Sequence, residues 1–401
     1  MKAFGPIPPE FKELRALQWV SEATPAYIYD FAIVSARIAG LRAAMPKALD
    51  IHYAIKANPM PALLAAIAPL VDGMDVASAG EMTRALGVMA GNRISFAGPG
   101  KRDAELEAAI RAGVTLNLES ISESQRALAI GKALGVRPRL AIRVNPDFEL
   151  RGSGMKMGGR ASPFGVEVEH VPELVRGIVA GGGDWRGFHI FAGSQSLDTQ
   201  AIIETQAATV ALAGRLAKLA KLAPPLVNLG GGFGIPYFAG DTPVDIVAIG
   251  TALGKALKKL PKILSGTQFA IELGRYIVGE AGVYLARVID RKISSGETFL
   301  IVDGGLNHHL AATGNFGTVV KRNYPVAVTH RMQDVAEETV TIVGPLCTPL
   351  DRLADRVALP RAEMGDVIAI FASGAYGASA SPSAFLGHAP VRELLVDSRG
   401  H

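Results

Sequence analysis

The repeat of strand and helix along residues 50–272 is the feature of this sequence that most restricts its fold. Each short apolar run is followed by a segment with apolar residues three or four apart, as in Asp103–Ala112 and Ile202–Leu222. Because eight strand–helix units close into a barrel, the sequence predicts an α/β fold containing a (β/α)8 TIM-type barrel. The predicted strands are His52–Lys56, Gly73–Val76, Ile94–Ala97, Thr115–Leu118, Leu140–Val144, Gly187–Phe191, Leu226–Leu229 and Phe269–Glu272.

After Glu272 the pattern changes to β-branched runs with few helical stretches, which predicts a C-terminal β-sandwich or β-barrel domain. The run Ala26–Tyr29 is one strand too many for the barrel, so we expect it to join this β domain. The predicted domains are therefore a barrel over residues 30–272 and a β domain formed by residues 1–29 and 273–401. The β-domain runs are Tyr284–Ile289, Thr298–Val302, Thr339–Val343, Val367–Phe371 and Val391–Val396.

Charge and cysteine content exclude several classes of protein. The net charge of +4 in 401 residues is too small and too dispersed to indicate a nucleic-acid partner. The single cysteine, Cys347, excludes an intrachain disulfide, and Met1–Pro6 lacks the apolar core of a signal peptide. No apolar stretch is long enough for a spanning helix. We expect a cytoplasmic protein without a membrane partner.

Active sites of βα barrels lie at the C-terminal ends of the strands, so polar residues at strand ends are the first candidates. Lys56 closes the first predicted strand. One interpretation is a lysine whose stem packs on apolar surface while its amine reaches solvent. The other is a Schiff-base lysine, whose amine acts as a nucleophile.

Three further strand ends carry groups suited to an anionic, aromatic ligand. Asn228–Gly234 contains three consecutive glycines, which form a tight turn or let backbone N–H groups approach a phosphate. Glu272 and Arg275 lie three residues apart, either as a local ion pair or as partners of a pyridine nitrogen and a phosphate. His189 offers a ring for stacking and Ser194 a hydroxyl, although a lone histidine is commonly structural.

In the β domain, Cys347 and Tyr376 lie in loops that follow strands, which suits functional residues. A small buried hydrophobic residue is the default interpretation for Cys347. The adjacent His308 and His309 lack a metal-ligand pattern, so we predict no catalytic metal.

Taken together, these motifs resemble those of the fold-type III pyridoxal-phosphate-dependent decarboxylases, the group that includes ornithine, arginine and diaminopimelate decarboxylases. The resemblance spans almost the whole chain, in order and spacing. It implies pyridoxal 5'-phosphate as cofactor and decarboxylation of an amino acid or amino-acyl substrate through an external aldimine. The segments that carry it most strongly are Tyr53–Asn58, Asp75–Glu81 and Arg143–Pro146.

The resemblance also implies roles for individual residues. Lys56 would carry the cofactor, His189 would cover its ring, and Glu272 would face the pyridine nitrogen. The phosphate would be held by Ser194, Gly232, Arg275 and Tyr376. Further cofactor contacts would come from Asp75, Arg143, Gly231 and Gly274. The substrate would meet Thr348 and Tyr376.

By the same resemblance, Cys347 would reach into the active site of a partner subunit and protonate the carbanion left after carbon dioxide departs. The protein would then be a homodimer whose β domain contributes to the dimer interface and to the shared active sites.

The substrate is the least determined part of this prediction. Thr348 stands where relatives usually carry an acidic residue, and Ala311–Phe316 lacks the Arg-x-x-x-Tyr pattern of diaminopimelate decarboxylases. Phe96–Arg102, Gly152–Met157 and Ser379–Pro382 are similar to the exosortase A system-associated branch, which is itself similar to decarboxylases of glutamyl groups on acyl carrier proteins. We therefore expect a free amino acid or a carrier-bound one with a neutral distal group. The alternatives are diaminopimelate, ornithine and lysine.

Two other classes remain as rivals. An alanine-racemase-like enzyme shares the lysine and the barrel but expects a tyrosine where this chain has Gly344–Cys347. A non-catalytic regulatory homologue would be expected to lose Lys56, Glu272 and Arg275, which are all present.

Overall fold

The computed structural model describes residues 24–152, 155–156, 161–238, 240–314 and 322–398. Most of the predicted segment 1–29, and Asn315 and Phe316 of the segment compared with diaminopimelate decarboxylases, lie outside these residues. The chain forms two compact units. The barrel unit is Arg37–Gly234 with Val244–Gly274, and the second unit takes the described parts of Met1–Ala36, Ile235–Pro243 and Arg275–His401.

The strands, in chain order, are β1 (Ala26–Asp30), β2 (Leu49–Ala54), β3 (Gly73–Val76), β4 (Ile94–Phe96), β5 (Thr115–Leu118), β6 (Arg139–Asn145), β7 (Met155–Lys156), β8 (Val166–Glu167), β9 (Asp184–Ile190), β10 (Gly193–Ser194), β11 (Leu226–Asn228), β12 (Gln268–Leu273), β13 (Gly282–Ser294), β14 (Glu297–Val302), β15 (Val326–Val328), β16 (Glu338–Val343), β17 (Arg352–Leu359), β18 (Val367–Ile370) and β19 (Arg392–Val396).

The α-helices are α1 (Phe31–Ala44), α2 (Pro61–Ile67), α3 (Ala79–Leu86), α4 (Asp103–Arg111), α5 (Ile121–Leu134), α6 (Val171–Ala180), α7 (Thr199–Ala220), α8 (Ile246–Leu257) and α9 (Arg275–Val278).

The barrel unit is a closed ring of parallel strands. Its sheet runs in the order β5-β4-β3-β2-β12-β11-β9-β6, and pairing of β5 with β6 closes the ring. Side-chain oxygens accept hydrogen bonds from first-turn N–H groups of several barrel helices; Ser120 caps α5 and Asp198 caps α7. The residue after α5 is Gly135, whose φ of 66° suits glycine. Local sequence signals therefore mark the ends of these helices.

The second unit is built on a mixed sheet. Its strands run in the order β15-β18-β13-β14-β16-β17, with β1 added beside β13 and β19 beside β1. Strand β13 is the longest, and it pairs antiparallel with β1, β14 and β18. The predicted fold class, a TIM-type barrel with a C-terminal β domain, is confirmed.

The first barrel strand ends earlier than the sequence predicts. Strand β2 stops at Ala54, and Lys56 lies in a single 3-10 turn, Ile55–Ala57. The following Asn58 is extended, as is usual before a proline, and its carbonyl accepts a hydrogen bond from the Tyr53 hydroxyl at 2.9 Å. The strand therefore terminates in a pinned turn that carries Lys56 out of the ladder.

Candidate active site

Lys56 lies at the C-terminal mouth of the barrel. Its side chain is exposed, and its Nζ lies 5.6 Å from the centroid of the Phe191 ring, which follows β9. Gly274 packs against the Lys56 turn from the end of β12. A Cβ atom there would lie 2.8 Å from the Ala57 Cβ and 2.9 Å from the Ala54 oxygen. A residue larger than glycine would therefore displace the turn that presents the amine.

Glu272 is a buried carboxylate of the barrel interior. Its Oε2 accepts hydrogen bonds from His189 Nε2 at 2.8 Å and from Asn228 Nδ2 at 3.1 Å. Burial alone would raise the pKa of Glu272, but His189 and the cations Lys56 and Arg143 outweigh it and lower this pKa to about 2. Glu272 is therefore ionised at neutral pH.

The strand register explains why these groups meet. Arg143 on β6 is the direct neighbour of His189 on β9, which is the direct neighbour of Asn228 on β11. Residues in register on parallel strands point to the same face of a sheet. Glu272 lies two residues beyond Ala270, the register partner of Asn228, and so shares its face.

Arg143 and Asp75 are fixed by barrel partners. The guanidinium of Arg143 pairs with Glu119 at 2.9 Å and covers the Phe164 ring at 4.9 Å. Asp75 accepts a hydrogen bond from the Ser95 hydroxyl and lies 3.5 Å from the ring of His52. Burial lowers the pKa of His52, but Asp75 and two further carboxylates raise it above its ordinary value.

The glycine run after β11 is enforced by close packing. A Cβ atom at Gly231 would overlap the backbone oxygen of Glu272, and one at Gly232 would lie 2.5 Å from the backbone oxygen of Gly193. Gly232 also has a φ of +83°, which only glycine adopts easily. Ser194 lies in β10 and is half-buried. Backbone thus approaches backbone here, as a phosphate-binding loop requires.

In the second unit, Arg275 is surrounded by tyrosines. Its Nη1 donates a hydrogen bond to the Tyr237 hydroxyl at 2.7 Å, and its guanidinium lies 4.7 Å from the centroid of the Tyr376 ring. Its Nε is enclosed and has no hydrogen-bond partner within the part of the chain that the structure describes. No carboxylate of the described residues pairs with Arg275. A local ion pair with Glu272, one of the two interpretations from sequence, is therefore not formed, and this cation is suited to an anionic ligand.

Cys347 and Thr348 lie in the loop between β16 and β17. The Cys347 thiol is exposed, so the default interpretation of a buried residue is wrong. Thr348 is half-buried, and its Oγ1 accepts a hydrogen bond from the Leu350 N–H at 3.3 Å. Asp351, the only acidic residue of this loop, is 2% exposed and accepts the N–H groups of Leu306 and Leu346.

Sequence reasoning missed several residues of this arrangement. Phe191, Asn228 and Glu119 line the barrel, whereas Tyr237 and Asp351 belong to the second unit. A period-2 reading from His189 would have found Phe191, because alternate residues of a strand share a face. The partners of Arg275 and Arg143 had no such signal, because they lie far away in sequence.

The described residues form neither a cluster of metal ligands nor a membrane-spanning helix. No three His, Cys, Asp or Glu side chains within the described ranges converge as a metal site would require. Among the same residues, no helix has both the length and the apolar character needed to cross a bilayer.

A barrel with a strand-end lysine, an ionised interior carboxylate and a glycine-lined loop defines a pyridoxal-phosphate enzyme of the barrel type. Residues 32–279 match the family model described as "Pyridoxal-dependent decarboxylase, pyridoxal binding domain". The chain belongs to this family. It is a pyridoxal-phosphate-dependent amino-acid decarboxylase.

Known proteins are similar to this chain along nearly its full length. An L-glutamyl-[BtrI acyl-carrier protein] decarboxylase from Niallia circulans is 37% identical, covering 93% of this chain and 88% of the relative. A diaminopimelate decarboxylase from Archaeoglobus fulgidus is 32% identical, with 93% and 88% covered. The crystal structure of diaminopimelate decarboxylase from Helicobacter pylori complexed with L-lysine has a TM-score of 0.84 and 28% identity, covering 96% of this chain and 94% of that one.

Proposed function

We propose that this enzyme decarboxylates an α-amino acid whose far end is neutral, and that a glutamyl group attached to an acyl carrier protein is its substrate. The observation that carries this proposal concerns residues 344–351, the loop between β16 and β17 that contains Cys347. Thr348 is neutral, and both oxygens of Asp351 accept backbone N–H groups. A distal ammonium would find no available carboxylate in this loop, and burying an unpaired charge is costly.

The relative from Niallia circulans supports the same substrate class, because its name specifies a carrier-bound glutamyl group. In such a substrate an acyl linkage replaces the distal carboxylate. The second candidate is diaminopimelate, which the archaeal relative decarboxylates according to its name. Diaminopimelate carries a charged amine and carboxylate at its far end, which Thr348 cannot pair.

The residues of each unit fit pyridoxal phosphate. In the barrel unit, Lys56 offers an exposed amine beside the Phe191 ring, and Glu272 offers a carboxylate with a lowered pKa. In the second unit, the enclosed Nε of Arg275 has no hydrogen-bond partner among the described residues, and no carboxylate of those residues pairs with its guanidinium. An amine, a carboxylate and a cation without a carboxylate partner match the aldehyde, the pyridine nitrogen and the phosphate of the cofactor.

Each protein group then has a defined task. Lys56 would hold the cofactor through its amine, and Glu272 would accept a hydrogen bond from the protonated pyridine nitrogen. Arg275 with Tyr376, and Gly231 and Gly232 with Ser194, would bind the phosphate. When bound, pyridoxal phosphate supplies the sink for the electron pair released as the Cα–carboxylate bond breaks.

Cys347 would deliver a proton to Cα after carbon dioxide leaves, and its thiolate would then take a proton from solvent. Its exposure within one subunit supports a role in the active site of a partner subunit. We accordingly propose a homodimer with shared active sites. The single cysteine also suits a reducing compartment such as the cytoplasm.

Carbon dioxide release from a panel of substrates tests the proposal. The purified holoenzyme is supplied with glutamate loaded on an acyl carrier protein, a glutamyl thioester of pantetheine, free glutamate, diaminopimelate, ornithine, lysine and arginine. Lys56→Ala serves as the inactive control. We expect the carrier-bound substrate to exceed every free amino acid in kcat/KM by at least about a hundredfold, as expected when a site leaves a charge unpaired.

Comparable turnover of free diaminopimelate or ornithine would refute the carrier-bound substrate. Turnover of the pantetheine thioester without the carrier would support the neutral distal group and show that the carrier protein itself adds little.

A further inference from the structure

Two rings follow each other on the same face of β9. His189 lies within the strand and in register with Arg143 and Asn228. Phe191 comes two residues later, immediately after the strand ends at Ile190. Because alternate residues share a face, Phe191 lies one layer nearer the C-terminal mouth of the barrel than His189.

His189 is committed to Glu272. Its ring is 3% exposed, and its Nε2 lies 2.8 Å from Glu272 Oε2. Its Nδ1 is enclosed and has no hydrogen-bond partner among the residues described. Turning this ring to cover a cofactor would break the contact with Glu272 and leave a buried carboxylate oxygen with only the Asn228 amide, which is unfavourable.

Phe191 has the geometry that a ring-covering residue needs. It is half-buried, and the Nζ of Lys56 lies 5.6 Å from its ring centroid. Gly230 packs behind it, since a Cβ atom there would lie 3.1 Å from Phe191 Cδ2 and 3.2 Å from its Cα. One face of the ring is therefore fixed by the backbone, and Lys56 lies over the ring.

We propose that Phe191 is the aromatic platform for the pyridine ring of the cofactor and that His189 is a positioning residue for Glu272. The inference rests on the proposed role of Lys56 as cofactor anchor. It replaces the expectation that His189 covers the ring. Phe191 presents a flat π-face that neither titrates nor donates hydrogen bonds, whereas His189 holds the carboxylate that faces the pyridine nitrogen.

The platform is tested by Phe191→Leu and Phe191→Trp in the apoprotein and the holoprotein. The dissociation constant for pyridoxal phosphate and the visible circular dichroism of the bound cofactor are measured. We expect Phe191→Leu to weaken binding roughly two- to tenfold, the range of aromatic pair contacts, and to change the dichroism. Phe191→Trp retains a ring and should bind pyridoxal phosphate like the wild type.

Phe188→Leu is the matched control. The Phe188 ring lies on the opposite face of β9 and packs on Trp185, so this variant should change neither the dissociation constant nor the dichroism.

The positioning role is tested by His189→Gln and His189→Phe. Glutamine keeps an N–H donor for Glu272, whereas phenylalanine keeps a ring and loses the donor. We expect His189→Phe to move the acid limb of the visible absorbance titration up by about one to two pH units, since a hydrogen bond to a charged group is lost. In His189→Gln the acid limb should stay where it is in the wild type. The other charged groups near Glu272 are Lys56, Arg143 and His52.

His189→Phe and His189→Gln distinguish a His189 that covers the cofactor ring from one that positions Glu272. If His189 covers the ring, His189→Phe keeps the wild-type spectrum and His189→Gln loses it, and Phe191→Leu leaves affinity unchanged. That result would overturn the inference while leaving Lys56 as anchor. Loss of the cofactor band in Lys56→Ala tests separately whether Lys56 is the anchor.

Discussion

Asp351 Oδ2 accepts a hydrogen bond from the backbone N–H of Leu346 at 2.8 Å, one residue before Cys347. Its other oxygen accepts the N–H of Leu306 at 2.6 Å. Burial raises the pKa of Asp351, and the two backbone N–H groups oppose that rise. The carboxylate therefore ties the end of the loop that carries the exposed thiol to Leu346 near its start and to Leu306 in the segment after β14.

Asp351→Asn should loosen this loop. An asparagine offers one acceptor oxygen, so one buried N–H group loses its partner at a cost of about 1–3 kcal/mol in the free energy of unfolding. We expect kcat to fall while the affinity for pyridoxal phosphate is retained. Urea unfolding and a cofactor titration measure the two effects, and Asp355→Asn, in neighbouring β17, is the control. A large loss of cofactor affinity would contradict a role confined to the loop.

Thr348→Asp should change substrate preference. The new carboxylate would supply the partner that a distal ammonium lacks, and such a charge-assisted hydrogen bond contributes about 1.5–3 kcal/mol. We expect kcat/KM for ornithine or lysine to rise roughly tenfold or more and that for carrier-bound glutamate to fall. Thr348→Asn is the neutral control. Equal effects of both variants would mean that charge at residue 348 does not select the substrate.

Arg275→Gln should reduce the discrimination between pyridoxal phosphate and pyridoxal. The guanidinium lacks a carboxylate partner within the described residues, and its loss should remove about 1.5–3 kcal/mol from phosphate binding. The ratio of the two dissociation constants measures this effect. Arg287→Gln, whose guanidinium donates to the Gly365 oxygen, is the control. An unchanged ratio in Arg275→Gln would exclude Arg275 from phosphate binding.

His309 should make stability depend on pH. Desolvation by burial lowers the pKa of His309 to about 3, and its Nε2 lies 2.7 Å from the Ser373 hydroxyl. The unfolded chain takes up a proton near pH 6.5 and the folded chain does not. The free energy of unfolding is therefore expected to fall as the pH drops from about 6.5 towards 3, by up to about 1.4 kcal/mol per pH unit.

His309→Gln should abolish this proton uptake by the unfolded chain, so the free energy of unfolding should depend less on pH. Urea unfolding at several pH values checks it, with His330→Gln as the exposed control. A wild-type slope that survives in His309→Gln would assign the dependence to other groups.

The barrel could be predicted from sequence because its strands and helices differ in local period. The prediction was least accurate where a strand passes into a turn. Lys56 lies in a 3-10 turn and not in the strand, which ends at Ala54. Residues 235–243, which belong to the second unit, carry no composition change that marks them in the sequence.

The candidate site was less predictable than the fold, because its contacts join residues far apart in the chain. The segment Ile235–Pro243, which lies between β11 and β12, gave no signal for the Tyr237–Arg275 pair, and His189 and Glu272 are 83 positions apart. Strand ends supplied the titratable groups. Only the register of β6, β9 and β11 shows which of them meet.

Peptide mapping after borohydride reduction of the holoprotein tests the central claim most directly. Reduction fixes the cofactor to the amine that holds it, and mass spectrometry then identifies the modified lysine. We predict that the added mass lies on Lys56 alone and that it disappears in Lys56→Ala. Attachment to another lysine, such as the buried Lys101, or the absence of any modified peptide in a wild-type protein saturated with pyridoxal phosphate, would contradict this account.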